Sequence, residues 1–135
     1  MYELVYHSKA RSRINKSDIT DILEISRANN KKYSITGCLI YFGKKFIQIL
    51  EGDKSAVHNI YSKIEQDNRH FEVTLFYHGP KMNREFKKWS MGYFEGDNSI
   101  MQTKFGISEN ALLENSHRSK ETVKEFWQSI KKIIE

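Results

Sequence analysis

Gln48 sits in the run FIQIL, residues 46–50, where every other side chain is apolar. A carboxamide brings two donors and an acceptor oxygen. Left unpaired in a core, such groups cost about 1–3 kcal/mol. Gln48 therefore requires partners, either protein groups or a ligand. Tyr6 lies in the alternating stretch YELVYHS, on one face with Tyr2 and Leu4. If neighbouring strands bring Tyr6 beside Gln48, hydroxyl and amide satisfy each other and form a hydrogen-bond relay. Cores also hold such pairs with no further role. Asn29-Asn30 come near the end of the first helical stretch. They read either as a left-handed C-cap or as two carboxamides able to read an imide edge. Arg69-His70 follow the second helical stretch. They are either a helix-end cation pair favoured by the dipole or contacts to an anionic or carbonyl-rich ligand. Trp89 and Met91, taken alone, read as core side chains.

Other chemistry is scarce. His7, His58, His78 and His117 show no metal-ligand spacing. There is no phosphate loop, nucleophile elbow or Ser-His-Asp set. The single cysteine, Cys38, excludes an internal disulfide framework and a Cys-rich zinc site. It reads as a small buried hydrophobe.

The elements that must position these residues follow from periodicity. Residues 2–8 read as a strand. Ser17-Asp18 reads as a helix N-cap, and the helix carries Ile19, Ile22 and Leu23 inward, with Ser26 next in the stripe. ITGCLIYF (35–42) and KFIQIL (45–50) are apolar runs across Gly43-Lys44, a hairpin signal. Glu51-Gly52-Asp53 ends the strand and starts a second helix, with Val57, Ile60, Tyr61 and Ile64 on one stripe. EVTLFYH (72–78) reads as a strand, Gly79-Pro80 as a turn, and Gly92–Phe94 as a last strand. The order β-α-β-β-α-β-β implies an α+β, ferredoxin-like sandwich with two helices on one sheet face. Right-handed crossovers are expected to place strands one and three side by side and parallel in the sheet centre. A short helix is expected at 108–114. A strong one is expected at 119–134, with Val123, Phe126, Trp127, Ile130, Ile133 and Ile134 in its apolar stripe. That face must pack on the open side of the sheet or join a partner chain.

Length and charge bound the function. A chain of 135 residues with 39% hydrophobic content is one domain with a real core. No apolar run reaches the roughly 18 residues of a membrane span. MYELVYHSKA lacks the pattern of a signal peptide, so a cytoplasmic protein is expected. The net charge of +5 falls within residues 1–95, as scattered pairs such as Lys31-Lys32 and Lys87-Lys88. That pattern reads as a solvated surface.

In order, LVYHSKA, NN, ITGCLIY, FIQILEG, DNRH and KKWSMGYF span about residues 2–95. This series resembles the BLUF domain, the blue-light sensor that uses FAD. The resemblance implies a flavin ring held between the two helices. It implies that Tyr6 donates an electron and a proton to the excited flavin, and that the Gln48 amide then rearranges. It implies cofactor contacts at Asn29, Asn30, Arg69, His70 and Ser8, the last near the tyrosine, and outward signalling through Trp89 and Met91. Residues 1–95 are then the photosensor and 96–135 a helical extension. No attached catalytic domain is expected. Output is expected to go to a separate effector protein, with self-association through the tail. The competing reading is a ferredoxin-like module that binds nucleic acid without flavin; no aromatic, Gly-rich RNA-binding strand motif supports it.

Overall fold

A computed structural model describes residues 1–97, 99–101 and 120–134. The elements are β1 (Tyr2–Ala10), α1 (Lys16–Lys32), β2 (Thr36–Phe42), β3 (Lys45–Gly52), α2 (Lys54–Glu65), β4 (His70–Pro80), β5 (Gly92–Glu95) and α3 (Lys120–Ile134). The helix expected over 108–114 lies outside the described residues.

The sheet order is β4-β1-β3-β2-β5. The first and third strands are neighbours, as expected, but they run antiparallel, with Tyr6 directly opposite Gln48. The expectation of parallel strands is corrected by the handedness rule itself. Each right-handed crossover joins the two parallel strands of one βαβ unit. Here those are β1 with β2, and β3 with β4. The hairpin then reverses β3 relative to β2 and so relative to β1. Its turn is Gly43-Lys44, with φ of 49° and 59°, the left-handed pair a two-residue hairpin needs. β5 joins the β2 edge in parallel.

The N-cap of α1 is Asn15, two residues before the expected Ser17. Asn15 Oδ1 accepts from Asp18 N and Asp18 Oδ2 accepts from Asn15 N, both at 3.0 Å. This reciprocal box is worth about 1 kcal/mol. The helix runs through Asn29-Asn30 to Lys32 and closes at Tyr33.

Two apolar layers sandwich the sheet. On one face Leu4, Tyr6, Leu39 and Leu50 meet Ile19 and Leu23 of α1 and Val57 and Ile60 of α2. On the other, Val5, Ile40, Ile47 and Ile49 meet Phe86 and Val123, Trp127 and Ile130 of α3. Each such buried side chain contributes about 1.5–3 kcal/mol. The apolar tail helix thus packs on the open sheet face. Ile133, expected in its stripe, is instead 44% exposed. At 100° per residue it lies about 80° off the line of Val123.

His7 points into this second layer. It is buried edge-on to Phe76, and its Nε2 has no hydrogen-bond partner. Burial first, then the Lys45 charge, holds its imidazole below the ordinary value. The folded state therefore binds that proton less readily than the unfolded chain. Stability is full above the unfolded value, about pH 6.5, and is lost as pH falls below it. His7→Phe is expected to flatten the decline in thermal midpoint between about pH 7 and about pH 5.5. An unchanged slope would assign the acid sensitivity elsewhere.

Candidate functional site

A cleft opens between α1 and α2 above the sheet centre, enclosing about 700 Å³ including its mouth. Ile22 and Ile25 line it from α1, Ile60 and Ile64 from α2, and Leu39 and Phe46 from the sheet. Tyr6 and Gln48 form part of its floor, with Asn29, Asn30, Arg69 and His70 around it. Ile25 is 53% exposed beside this opening.

Tyr6 and Gln48 meet because antiparallel register sets them opposite each other on the helix face. Tyr6 Oη donates to Gln48 Oε1 at 2.5 Å, and Gln48 Nε2 donates to Met91 Sδ at 3.3 Å. One amide N–H and one carbonyl lone pair remain unused. Burial, reinforced by Tyr61 and the Asp67 carboxylate, drives the Tyr6 hydroxyl far above the usual phenol range. Tyr6 is therefore a fixed proton donor. Its ring lies 5.6 Å from that of Tyr61, centre to centre. Burial and then Glu65 push the Tyr61 phenol up to about 12.

Asn30 is 1% exposed and is no cap. Its Nδ2 donates to Ser90 O at 2.7 Å, which leaves Oδ1 as an acceptor at the cleft. The Arg69 guanidinium is held by Asp67 through both carboxylate oxygens, with Nη2 to Oδ2 at 2.6 Å. That bond, stronger than the opposing desolvation, keeps the Asp67 carboxyl below its usual value. His70 Nε2 donates to Ile64 O at 2.6 Å, so Nδ1 is the atom facing Ser8 Oγ at 2.8 Å. Ser8 is not on the cleft wall; it orients His70, which is.

Trp89 and Met91 part company. Met91 is buried against Gln48. Trp89 packs on the opposite layer, 6.0 Å from the Phe86 ring. Two contacts escaped the sequence reading. Arg27 Nε donates to Met91 O at 3.1 Å, and Asp67 orients Arg69. Arg27 lies three residues before Asn30 on the same helix face, a spacing that could have flagged it.

The family model described as "BLUF: Sensors of blue-light using FAD" matches residues 1–92. The chain belongs to the BLUF family. Its BLUF region is 36% identical over 89 residues to the photoactivated adenylate cyclase subunit beta of Euglena gracilis, covering 65% of this chain and 10% of that protein. The corresponding alpha subunit from the same organism is 40% identical over 77 residues, covering 57% and 8%. The chain thus spans about a tenth of the length of these relatives. Among solved structures, the BLUF protein BlrB in its dark state superposes with a TM-score of 0.77 at 29% identity, covering 98% of this chain and 96% of that one. The photo-activated state of BlsA gives 0.79 at 27% identity, covering 93% and 91%. The ferredoxin-like BLUF fold is therefore established for the chain, and with it the family's cofactor, FAD.

The cleft fits that cofactor. Isoleucines of α1 and α2 line it, apolar surface on which an aromatic ring can pack. The Asn30 Oδ1 acceptor, the Asn29 carboxamide and the unused Gln48 N–H match the donors and acceptors of an imide edge. Arg69 and His70 complete the polar lining. Bound there, FAD supplies the blue-light absorption and the electron acceptor.

Proposed function

We propose that this chain is a blue-light photoreceptor in which Tyr6 and Gln48 carry the switch and Met91 receives it. The observation that carries this reading is the unbroken line Tyr6 Oη, Gln48 amide, Met91 Sδ, running from the cleft floor to the entry of β5. Tyr6 is an oxidisable phenol held in place with its proton on a hydrogen bond. Loss of an electron makes a phenol strongly acidic, and Gln48 Oε1 is positioned to receive its proton. Gln48 is both donor and acceptor, so a half-turn of the amide, or its tautomer, exchanges which group faces Tyr6 and which faces Met91. Asn29, Asn30, Arg69 and His70 hold and orient the cofactor, and Ser8 fixes the His70 ring. No covalent step is involved, so the dark arrangement returns thermally.

Residues 1–95 act as the sensor. Residues 96–135 are the extension; its helix α3 packs on the second sheet face and, with Met91, Trp89 and β5, passes the change to a separate effector protein. The chain itself performs no catalysis in this reading. Among the described residues no helix is long and apolar enough to cross a membrane, and we place the protein in the cytoplasm. Both sheet faces are covered by helices, which leaves no open face for RNA.

The test is the absorption spectrum of the purified protein in the dark and after blue light. A flavin spectrum that moves slightly to the red and recovers in darkness is expected. Bound flavin with no shift, or failure to take up added FAD, would contradict the proposal.

A further inference from the structure

Residues 81–91 join β4 at one sheet edge to β5 at the other, so they must cross the whole sheet. They do so without regular structure. What pins them midway is Glu51 on the central strand β3, a carboxylate with 0% exposure. Its oxygens accept from Glu85 N at 2.6 Å, Phe86 N at 2.9 Å and Thr36 Oγ1 at 3.1 Å. Lys81 Nζ donates to the same group. Arg84 tightens the clamp, donating to Glu51 O at 3.0 Å, Thr36 Oγ1 at 2.9 Å and Ser34 O at 2.7 Å.

A buried ionised group persists only when it is fully hydrogen-bonded. Two of the four donors to this one are backbone N–H groups of the crossing segment. Glu51 and Gln48 are three residues apart, so they face opposite sides of β3. Gln48 therefore holds Met91 on the helix side while Glu51 holds Glu85 and Phe86 on the α3 side. Between the two, Trp89 N donates to Phe86 O and Gly37 N donates to Trp89 O. A Cβ on Gly37 would lie 2.0 Å from Ile49 O, so only glycine lets the strand keep this arrangement. The pinned residues also meet the tail helix. Phe86 packs edge-on against Trp127, and the Glu85 carboxylate lies 3.9 Å from Lys131 Nζ.

We propose that Glu51 is a positioning residue of the light switch: it fixes Glu85 and Phe86 so that Met91 is presented to Gln48 on one side and Phe86 to α3 on the other. This rests on the reading of Tyr6 and Gln48 above. Gln48 thus works against a segment with one end anchored, and its rearrangement is delivered to Met91 instead of being absorbed by slack in the crossing.

The test is a double-mutant cycle of Glu51→Gln and Met91→Leu in the FAD-bound protein. The first readout is the rate of dark recovery after blue light. Glu51→Gln keeps the shape but turns an N–H donor toward donors. It is expected to change the recovery rate by about tenfold, the size of one lost hydrogen bond to a charged group. In the Met91→Leu background it is expected to change the rate little. Glu51 and Met91 make no direct contact, and separated sites normally act additively. Additive effects, or a recovery rate indifferent to Glu51→Gln, would overturn the proposal. The same cycle read by equilibrium unfolding in the dark needs no photoreaction and is expected to be non-additive as well. If the wild-type protein shows no lit state, the photoreceptor reading fails, and the unfolding cycle still decides the role of Glu51. Should Glu51→Gln fail to fold, Arg84→Met loosens the same clamp from its exposed side and takes its place in both cycles.

Discussion

Tyr6→Phe is expected to bind FAD and to show no light-induced red shift. The substitution removes one oxygen and leaves the ring, so the packing of Tyr6 on the cleft floor survives. It takes away the oxidisable phenol and the proton it donates to Gln48 Oε1, 2.5 Å from oxygen to oxygen. Phenylalanine can supply neither at the energy of blue light. The buried Gln48 oxygen loses that donor, so the variant should also be less stable by about 1–3 kcal/mol. Denaturant unfolding checks the second effect, and dark and illuminated flavin spectra check the first. Tyr61 is the control, since its ring is 5.6 Å from Tyr6 yet it makes no hydrogen bond to Gln48. Tyr61→Phe is expected to keep the shift. A normal red shift in Tyr6→Phe would remove Tyr6 from the role given to it.

Gln48→Leu carries the second large effect. Leucine fills a similar volume in an apolar strand, so the fold and the bound flavin are expected to remain. The amide is lost, and with it the group that bonds both Tyr6 Oη and Met91 Sδ. There are then no two hydrogen-bonding arrangements to exchange, and no stable red-shifted state should form. The buried Tyr6 hydroxyl is left without its acceptor. That costs about 1–3 kcal/mol, offset in part because the new side chain needs no partner. A wild-type shift and recovery in this variant would sink the amide switch.

How far these residues could be read from sequence depended on the range of their partners. Gln48 stood out locally, as the one polar side chain in the run FIQIL, and Tyr6 followed from alternation. Their meeting needed only that strands one and three be neighbours; the antiparallel register that sets them face to face came from the structure. Asn30 read equally as a cap because a helix-end asparagine usually is one. Its actual partner, Ser90 O, is sixty residues away. Glu51 looked like a strand terminator for the same reason, since the N–H groups it accepts from lie 34 and 35 residues further on. The start of α1 was misplaced because Asn15, not Ser17, makes the reciprocal bond with Asp18. Trp89 and Met91 could not be separated by pattern, because the segment that carries them has no period. Where local propensity and tertiary demand agreed, sequence sufficed. At Asn30 and Glu51, distant partners override the local rule.

The central claim is that light changes the hydrogen bonding of the Gln48 amide. The most direct test is a light-minus-dark infrared difference spectrum of the FAD-bound protein, recorded with and without isotope-labelled glutamine. Wild-type protein should show amide bands that move with the label, and those bands should be missing in Gln48→Leu. A full light-induced red shift accompanied by a difference spectrum blind to the glutamine label would contradict the account.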